Sequence, residues 1–415
     1  ERPPDSPAEI KSRPLSARGR CRLIRLGGKP NMKFIHTADW HLGKLVQGVY
    51  MTEDQRYVLG QLVDAVEAER PDAVVIAGDL YDRAVPPTDA IDLLNEWLER
   101  IVVELNTPVL AVSGNHDSPD RLDFATRIME GRGFYLAGRL KRDHRPVVLA
   151  DESGEVHFHL APYADPAQVR HLYEDETIRT HDDAMKAIVD RIAASMDPDA
   201  RHVFVGHAFV TPGGEPREND DAERPLSIGG AECVRAEYFA PFHYTALGHL
   251  HEAHYVLSER IRYAGSPLKY SVSEARHEKG YYVVHLDAEG GVRTEKRTFA
   301  PLRDLRRIEA TIEEIETHPR SDDYVFVTLL NENPVLFPME KVRAVYPNAL
   351  HVERAVARTV QTDGTEPIPK RRETDQVSLF AAFYREVNGV SPSEESLRLF
   401  RDMYEACLRE EGVAG

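Results

Sequence analysis

The chain has 415 residues, of which 42% are hydrophobic, and its formal net charge at pH 7 is −17. This length suits about two to three domains with a substantial core. The negative charge argues against broad, non-specific attraction to nucleic acid, because the phosphate backbone favours Lys and Arg. It does not exclude a polyanionic substrate, since divalent metals or a basic partner can reverse the sign locally.

Cysteine usage and hydropathy predict a cytoplasmic protein. The three cysteines, Cys21, Cys233 and Cys407, lie far apart in no paired pattern, which predicts a reducing compartment and no disulfide framework. No apolar run approaches the length of a membrane span, and residues 1–30 lack the hydrophobic stretch of a secretory signal.

The start of the chain differs in composition from the remainder. Residues 1–31 are rich in Pro, Arg and Ser without periodicity, which predicts a leader or disordered extension, with a short ordered arm as the alternative. Strands and helices then alternate: a strand at 32–36, a helix from Thr52, a strand at 73–77, a helix from Thr88 and a strand at 108–112. Thr52 and Gln55 match a capping box for the first helix. This order predicts an α/β fold with a ligand site at one sheet edge.

The region from about residue 150 to residue 300 is richer in strands. Strands are predicted at 156–160, 202–205, 244–247, 262–264 and 281–285. We expect them to form a second, more antiparallel sheet that faces the first.

The sequence changes again near residue 300. A strand at 324–329 and a helix at 338–345 predict a small α/β module over 300–360, and residues 361–374 are predicted to form a polar linker. Residues 375–415 are predicted to be helical, with Ser391 as an N-cap and an apolar stripe from Leu397 to Leu408. A partner-docking segment is one interpretation; folding back on the chain itself is the other.

Polar side chains follow the predicted strands at their carboxyl ends. Asp39 and His41 are two residues apart, so extended backbone can direct both to one ion. Asp79, after the central strand, is the candidate bridging carboxylate. A set of nitrogen and oxygen ligands without thiolate suits a pair of divalent ions, with Mn²⁺ preferred over structural zinc. The candidate ligands are Asp39, His41, Asp79, Asn115, His207, His249 and His251.

These motifs resemble a known enzyme superfamily. Asp-x-His at 39–41, Gly-Asp-x-x-Asp at 78–82, Gly-Asn-His-Asp at 114–117, Gly-His at 206–207 and Gly-His-x-His at 248–251 look like the calcineurin-like metallophosphoesterases. The resemblance implies a four-layer α-β-β-α sandwich with a small α/β capping domain, a C-terminal helical partner-binding segment and two Mn²⁺ ions, with Mg²⁺ as the alternative. It implies that one metal is held by Asp39, His41, Asp79 and His251, and the other by Asp79, Asn115, His207 and His249.

Longer matches point to one branch of that superfamily. The stretches at 36–43, 78–83, 114–118, 223–230, 246–251 and 263–271 resemble the nuclease subunits of double-strand-break repair complexes, in their bacterial form because Asp82 stands where other relatives tend to carry His. The resemblance implies a cytoplasmic, nucleoid-associated nuclease that cleaves duplex DNA 3′ to 5′ and opens hairpins or blocked ends. It also implies an SMC-like ATPase partner for the helical tail, and a homodimer within a heterotetramer.

The same reasoning suggests catalytic roles for two residues. His116 follows the ligand Asn115, and we expect it to donate a proton or hydrogen bond to the leaving oxygen. Asp82 is expected to orient the His116 imidazole and keep it protonated. Two alternatives stay open: a phosphoprotein phosphatase or phosphodiesterase with the same metal ligands, and a DNA-end tether whose metals are structural.

Overall fold

The computed structural model describes residues 24–25, 31–214, 233–331, 333–355, 380–381, 383–385 and 391–411. The chain divides into two compact units, Glu1–Ala355 and Val356–Gly415, which are described separately. Among the described residues, no helix has the length and apolar character needed to cross a membrane. The predicted linker at 361–374 and the stretch at 223–230 lie outside the described residues.

Short strands and helices follow one another along the chain. The strands are β1 (Ile24–Arg25), β2 (Met32–Thr37), β3 (Leu45–Val46), β4 (Val49–Tyr50), β5 (Ala73–Ala77), β6 (Val109–Val112), β7 (Phe134–Ala137), β8 (Val147–Asp151), β9 (Gly154–Ala161), β10 (Arg201–His207), β11 (Val210–Thr211), β12 (Val234–Arg235), β13 (Tyr244–Gly248), β14 (His254–Val256), β15 (Ser258–Tyr263), β16 (Gly280–Leu286), β17 (Val292–Thr298), β18 (Leu305–Ala310), β19 (Tyr324–Leu329) and β20 (Ala349–Arg354). The α-helices are α1 (Thr52–Glu69), α2 (Thr88–Leu98), α3 (Pro119–Leu122), α4 (Thr126–Met129), α5 (Pro166–Tyr173), α6 (His181–Ala193), α7 (Ile312–Ile315), α8 (Pro338–Val345) and α9 (Glu394–Glu411).

The first sheet contains six strands in the order β17-β16-β2-β5-β6-β7. Strands β2, β5, β6 and β7 are parallel neighbours, so their carboxyl ends meet at one edge. Every residue of β5 and β6 is buried, as expected for strands covered on both faces. Strand β16 pairs antiparallel with β2. The assignment of 281–285 to the second sheet is therefore wrong, because an apolar strand pattern does not reveal its pairing partner.

The second sheet contains seven strands in the order β1-β8-β9-β10-β13-β15-β14. Neighbours β9, β10, β13 and β15 are parallel, whereas β8 with β9 and β14 with β15 are antiparallel. The prediction of a more antiparallel sheet is therefore wrong. Helices α5 and α6, which the sequence analysis did not predict, provide the crossover from β9 to β10 that a parallel pair requires.

Three apolar clusters lie between and outside the two sheets. The cluster between the sheets includes Phe34 and Phe158, whose rings meet edge to face with centroids 5.4 Å apart. A second cluster packs α1 and α2 on the outer face of the first sheet, through residues such as Val63 and Trp97. A third, including Ile188 of α6, covers the outer face of the second sheet. The predicted α/β fold with two facing sheets is confirmed, and both sheets are mixed.

Helix α1 begins at Thr52, but the predicted capping box is wrong. Thr52 Oγ1 donates to Asp89 Oδ2 at 2.7 Å. The Gln55 side chain points away from the helix terminus, and its Nε2 donates to the backbone oxygens of Trp40 and His41 at 3.1 and 2.8 Å. Gln55 therefore fixes the loop after β2 instead of capping the helix.

A small parallel sheet follows the two larger sheets in the first unit. Strands β18, β19 and β20 pair in that order, and α7 and α8 contribute to their apolar cluster. The predicted strand at 324–329 and helix at 338–345 coincide with β19 and α8.

The two ends of the chain also differ in part from expectation. Within the predicted leader, Ile24–Arg25 pairs in parallel with β8; residues 1–23 and 26–30 lie outside the described part of the chain. In the second unit, α9 begins at Glu394, and Ser393 Oγ accepts a hydrogen bond from Ser396 N at 3.2 Å. The cap is therefore two residues later than the predicted Ser391.

Candidate metal centre

The loops after β2, β5 and β13 hold several side chains on strained backbone. Asp39, His41, Asp79 and His249 have positive φ angles of 53°, 45°, 49° and 106°, and such conformations cost a non-glycine residue about 1–3 kcal/mol each. Two backbone hydrogen bonds join the loops: Asp39 N–H donates to Gly78 O at 3.1 Å, and His41 N–H donates to Asp79 O at 2.9 Å. The surrounding fold sustains this strain where the candidate ligands converge.

Two glycines are required by the space around these loops. Gly78 has a φ of 93°, and a Cβ added there would overlap the ring of His207. A Cβ on Gly114 would overlap the carboxylate of Asp79. The glycines of the Gly-Asp and Gly-Asn motifs therefore allow the close approach of neighbouring strand ends.

Three groups of side chains, which share some members, could each hold a metal ion. Within each group the ligand atoms lie within 4.8 Å of one another. The groups are Asp39 with His41 and His251, Asp39 with Asp79 and His207, and His41 with Asp82 and His116. The first two groups are fully buried, whereas Asp82 and His116 are partly exposed. Buried carboxylates and imidazoles in adjacent groups are consistent with a site for two metal ions.

The carboxylate of Asp79 lies between the groups. Its Oδ2 is 3.3 Å from His207 Nε2 and 3.6 Å from His41 Nε2. This position suits the bridging role that the sequence analysis assigned to Asp79, which stays a prediction.

The remaining candidate ligands join the same centre. Asn115 Oδ1 lies 2.9 Å from His207 Nε2 and 3.1 Å from His249 Nδ1. The Nε2 atoms of His41 and His251 are 3.1 Å apart. The structure thus brings together all the residues that were predicted as ligands.

The electrostatics of Asp39 favour a bound cation. Its Oδ2 is buried and has no hydrogen-bond partner among the described residues, which is costly for a carboxylate. Burial raises the pKa of Asp39 to about 7, although the neighbouring His207 opposes the shift. A divalent ion beside this oxygen would remove the penalty, so the donor set fits metal binding.

The pKa values of two histidines of the centre are shifted in opposite directions. Burial, together with the positive charge of His207, lowers the pKa of His249 to about 3. Burial also disfavours the charged form of His207, but Asp79 and Asp39 outweigh it and raise the pKa of His207 to about 9. In the metal-free chain, His207 therefore partly compensates the carboxylates, a role that a cation would take over.

The contact between Asp82 and His116 differs from the expected one. His116 Nδ1 lies 2.9 Å from the backbone oxygen of Asp82. The carboxylate of Asp82 is instead 3.0 Å from Lys44 Nζ and 3.6 Å from His41 Nδ1. The acceptor for His116 Nδ1 is thus the backbone oxygen of Asp82 and not its carboxylate, and the expected role of Asp82 in orienting His116 stays a prediction. A carbonyl acceptor still fixes the ring with a proton on Nδ1.

Asp117 is a structural residue of the centre that the sequence analysis missed. Its Oδ2 accepts from the backbone N–H groups of Leu80 and Gly114 at 3.1 and 2.9 Å, and its Oδ1 accepts from Tyr81 N–H at 3.0 Å. Burial and the charge of Asp79 raise the pKa of Asp117 to about 7. Its place in the Gly-Asn-His-Asp motif was the available signal for this role.

Tyr270 was missed as well. Its Oη donates to the backbone oxygen of Trp40 at 2.5 Å and accepts from Gln55 Nε2 at 3.0 Å. Tyr270 and Gln55 together fix the loop that carries Asp39 and His41. The match at 263–271 included Tyr270 but indicated no contact for it.

Two family models match parts of the chain. Residues 32–253, more than half of the chain, match the family described as calcineurin-like phosphoesterase, and the chain belongs to this family. Residues 301–388 match the SbcD C-terminal family, described as the type 5 capsule protein repressor C-terminal domain. The chain thus combines a calcineurin-like metallophosphoesterase domain with an SbcD C-terminal domain, a combination consistent with an SbcD-like nuclease.

Two solved structures are similar to the chain at low sequence identity. One is the protein TT1561 of Thermus thermophilus, at 11% identity and a TM-score of 0.36, covering 64% of this chain and 99% of that chain. The other is a dimetal phosphatase from Danio rerio, at 12% identity and a TM-score of 0.36, covering 65% of this chain and 97% of that chain.

Proposed function

We propose that the chain is a DNA nuclease subunit of the SbcD type that works with two Mn²⁺ ions, or with Mg²⁺. It degrades duplex ends 3′ to 5′ and cuts hairpins or blocked ends during DNA repair and recombination. The observation that carries the proposal is the presence, in one chain, of the phosphoesterase domain at 32–253 and the SbcD C-terminal domain at 301–388. The buried groups around Asp39 support the metal requirement.

Each ion has its own set of ligands in this proposal. One ion is held by Asp39, His41, Asp79 and His251, and the other by Asp79, Asn115, His207 and His249. When bound, the ions supply Lewis-acid polarisation of the phosphodiester and a lowered pKa for the attacking water. The protein holds the ligands in place through buried loops, of which the Asp117 and Gln55 contacts are examples.

His116 acts on the leaving oxygen. The Asp82 carbonyl accepts the Nδ1 proton at 2.9 Å, so the ring can donate its second proton from Nε2 to the oxygen that leaves phosphorus. The His116 backbone N–H donates to Asp79 Oδ1 at 2.9 Å, which couples the position of this donor to the central carboxylate. The Asp82 carboxylate belongs to the same group of ligand atoms as His41 and His116.

Each part of the chain has its own task in this proposal. Residues 32–299 form the nuclease domain, 300–360 the capping domain, 361–374 a linker and 375–415 the segment that docks on the SMC-like ATPase SbcC, whose ATP hydrolysis controls DNA access. Leu399 and Met403 of α9 are 61% and 63% exposed, which supports a docking surface on this helix.

The proposed assembly is a heterotetramer around a nuclease homodimer. Helices α1 and α2 are the proposed dimer contact, and the exposure of Tyr57 on α1 and Ile91 on α2, at 46% and 44%, supports this. The partner supplies much of the DNA grip, which suits the net charge of −17 on this chain.

The test is Mn²⁺-dependent cleavage of an end-labelled duplex by the full chain, with and without the SbcC-type ATPase and ATP. Asp79→Ala removes the proposed bridging ligand, and Asp190→Ala makes the same change at an exposed position of α6. We expect cleavage to be stimulated by the partner, to disappear in Asp79→Ala and to persist in Asp190→Ala.

The contrary outcome separates the proposed substrate from the proposed site. If the wild-type chain leaves DNA intact but hydrolyses a phosphopeptide or a small phosphodiester, the metal centre is active and the nuclease proposal is wrong. Equal DNA cleavage by wild type and Asp79→Ala would refute the bridging role of Asp79.

A further inference from the structure

A buried ion pair lies directly behind His251. Glu274, in the 3-10 turn Val272–Arg276, is 2% exposed, and its Oε1 is 3.0 Å from His251 Nδ1. Its other oxygen, Oε2, accepts from Lys279 Nζ at 2.5 Å. Lys279 is 8% exposed, so both charges are withdrawn from solvent.

The Lys279 ammonium fixes the backbone of His251 as well. Its Nζ donates to His251 O at 2.8 Å and to Ser266 Oγ at 2.8 Å. Together with the Glu274 contact, these bonds use all three donors of the ammonium group. The ring and the backbone of one candidate ligand are therefore held by a single, fully hydrogen-bonded pair.

This arrangement determines which nitrogen of His251 faces the centre. Because the Glu274 carboxylate can only accept, His251 Nδ1 carries a proton and Nε2 presents its lone pair. Nε2 lies 3.1 Å from His41 Nε2, on the side of the group that includes Asp39. A carboxylate behind a ligating imidazole fixes its tautomer and increases its basicity.

We propose that Glu274 and Lys279 are positioning residues that orient His251 and thereby set the affinity of the ion held by Asp39, His41 and His251. This inference rests on the proposed two-metal function. A buried ion pair adds little stability compared with apolar residues of similar volume, so stability alone is a weak reason for this pair. The pair acts on the metal through His251 and touches no substrate.

The test uses variants that separate charge, hydrogen bonding and stability. Glu274→Gln keeps an acceptor for His251 but leaves the Lys279 charge unpaired. The double variant Glu274→Leu/Lys279→Met removes the acceptor and both charges, so no buried charge is left alone. The matched control, Asp151→Leu/Arg201→Met, removes another buried pair, with a 2.6 Å contact, at the opposite end of β10 from His207.

Two quantities are measured on the full-length, metal-depleted chain: Mn²⁺ affinity, from the free Mn²⁺ signal in electron paramagnetic resonance, and urea unfolding. We expect the double variant at Glu274 and Lys279 to raise the Kd of one Mn²⁺ by about 10- to 100-fold. Glu274→Gln should raise it less, and the control pair should leave it unchanged. The free energy of unfolding should follow a different order, because Glu274→Gln leaves a buried charge unpaired. Glu274→Gln should therefore be less stable than the double variant Glu274→Leu/Lys279→Met.

A purely structural role would give another pattern. If the double variant binds both Mn²⁺ ions with wild-type affinity, or if affinity simply follows stability across all variants, the positioning role is wrong. If the wild-type chain itself binds no pair of Mn²⁺ ions, the proposed two-metal function fails, and this inference fails with it.

Discussion

Asp54 of α1 accepts two hydrogen bonds from Arg303, a residue 249 positions later in the chain. Arg303 Nε lies 3.0 Å from Asp54 Oδ1, and Arg303 Nη2 lies 2.9 Å from Asp54 Oδ2. Tyr324, the first residue of β19, donates its hydroxyl proton to the same Oδ2 at 2.9 Å. The fully buried carboxylate of Asp54 therefore joins α1 to the small C-terminal sheet.

Removal of this carboxylate should destabilise the first unit. In Asp54→Ala the Arg303 charge and the Tyr324 hydroxyl lose their shared partner, and we expect the free energy of unfolding to fall by about 3 kcal/mol. Urea unfolding followed by circular dichroism measures the change. Glu96→Ala is the control, because its pair with Arg56 is exposed and should be worth less than about 1 kcal/mol. If the two substitutions lower the free energy of unfolding equally, the buried Asp54 contact contributes no more to stability than the exposed pair.

His116→Leu should separate metal binding from turnover. The substitution removes the proposed proton donor but none of the proposed ligands, so we expect two bound Mn²⁺ ions and hydrolysis slowed by about 10²- to 10⁴-fold. Metal content by mass spectrometry and the rate on a small phosphodiester give the two readouts. His171→Leu, at an exposed position of α5, is the control and should change neither. Loss of both ions in His116→Leu would mean that His116 belongs to the ligand set.

The contacts around His116 illustrate what sequence could and could not predict. The strand ends were predictable because buried apolar runs define β5 and β6, and parallel neighbours bring their carboxyl ends to one edge. The hydrogen-bond acceptor for His116 was not predictable, because it is the backbone oxygen of Asp82 and every residue type has a backbone oxygen. Gln55 shows the same limit: a capping box and a bond to a distant loop use the same residue type.

Long-range pairing was the other limit. The local pattern of β16 predicted a strand correctly, but its neighbour β2 lies far away in sequence. The parallel order of the second sheet depends on the crossover through α5 and α6. The capping box of α6 at Thr180 and Asp183 is the local sequence signal for that crossover. Strand existence is local information, whereas sheet membership depends on the tertiary fold.

Buried histidines should make stability depend on pH. His159 is hydrogen-bonded to His144 at 3.2 Å and to His202 at 3.0 Å. Burial lowers the pKa of His159 from 6.5 to about 2, with further lowering by His144, and burial lowers that of His144 to about 4. Below pH 6.5 the unfolded chain binds protons that the folded chain does not, so the free energy of unfolding falls as the pH falls.

The variant His159→Gln should reduce this pH dependence. Each histidine that stays neutral on folding contributes a slope of about 1.4 kcal/mol per pH unit well below pH 6.5. We therefore expect the free energy of unfolding of the metal-free variant, measured in urea between pH 6 and pH 4.5, to depend less steeply on pH. The difference in slope should correspond to about one proton, or about 1.4 kcal/mol per pH unit. Phe242→Leu is the control, because Phe242 packs on His159 with centroids 5.8 Å apart but does not titrate. An unchanged slope in His159→Gln would contradict the prediction.

The exposed face of α9 should be required for binding to the proposed ATPase partner. Leu399 and Met403 are four residues apart on the helix and share a face, and both are largely exposed. Leu399→Asp with Met403→Asp should weaken binding to the SbcC-type partner at least tenfold, and deletion of residues 375–415 should abolish it. Hydrolysis of a small phosphodiester should persist in both, because the proposed ligands lie in the first unit. Arg398→Ala, at an exposed neighbouring position, controls for surface change, and an intact complex after the deletion would refute the docking role.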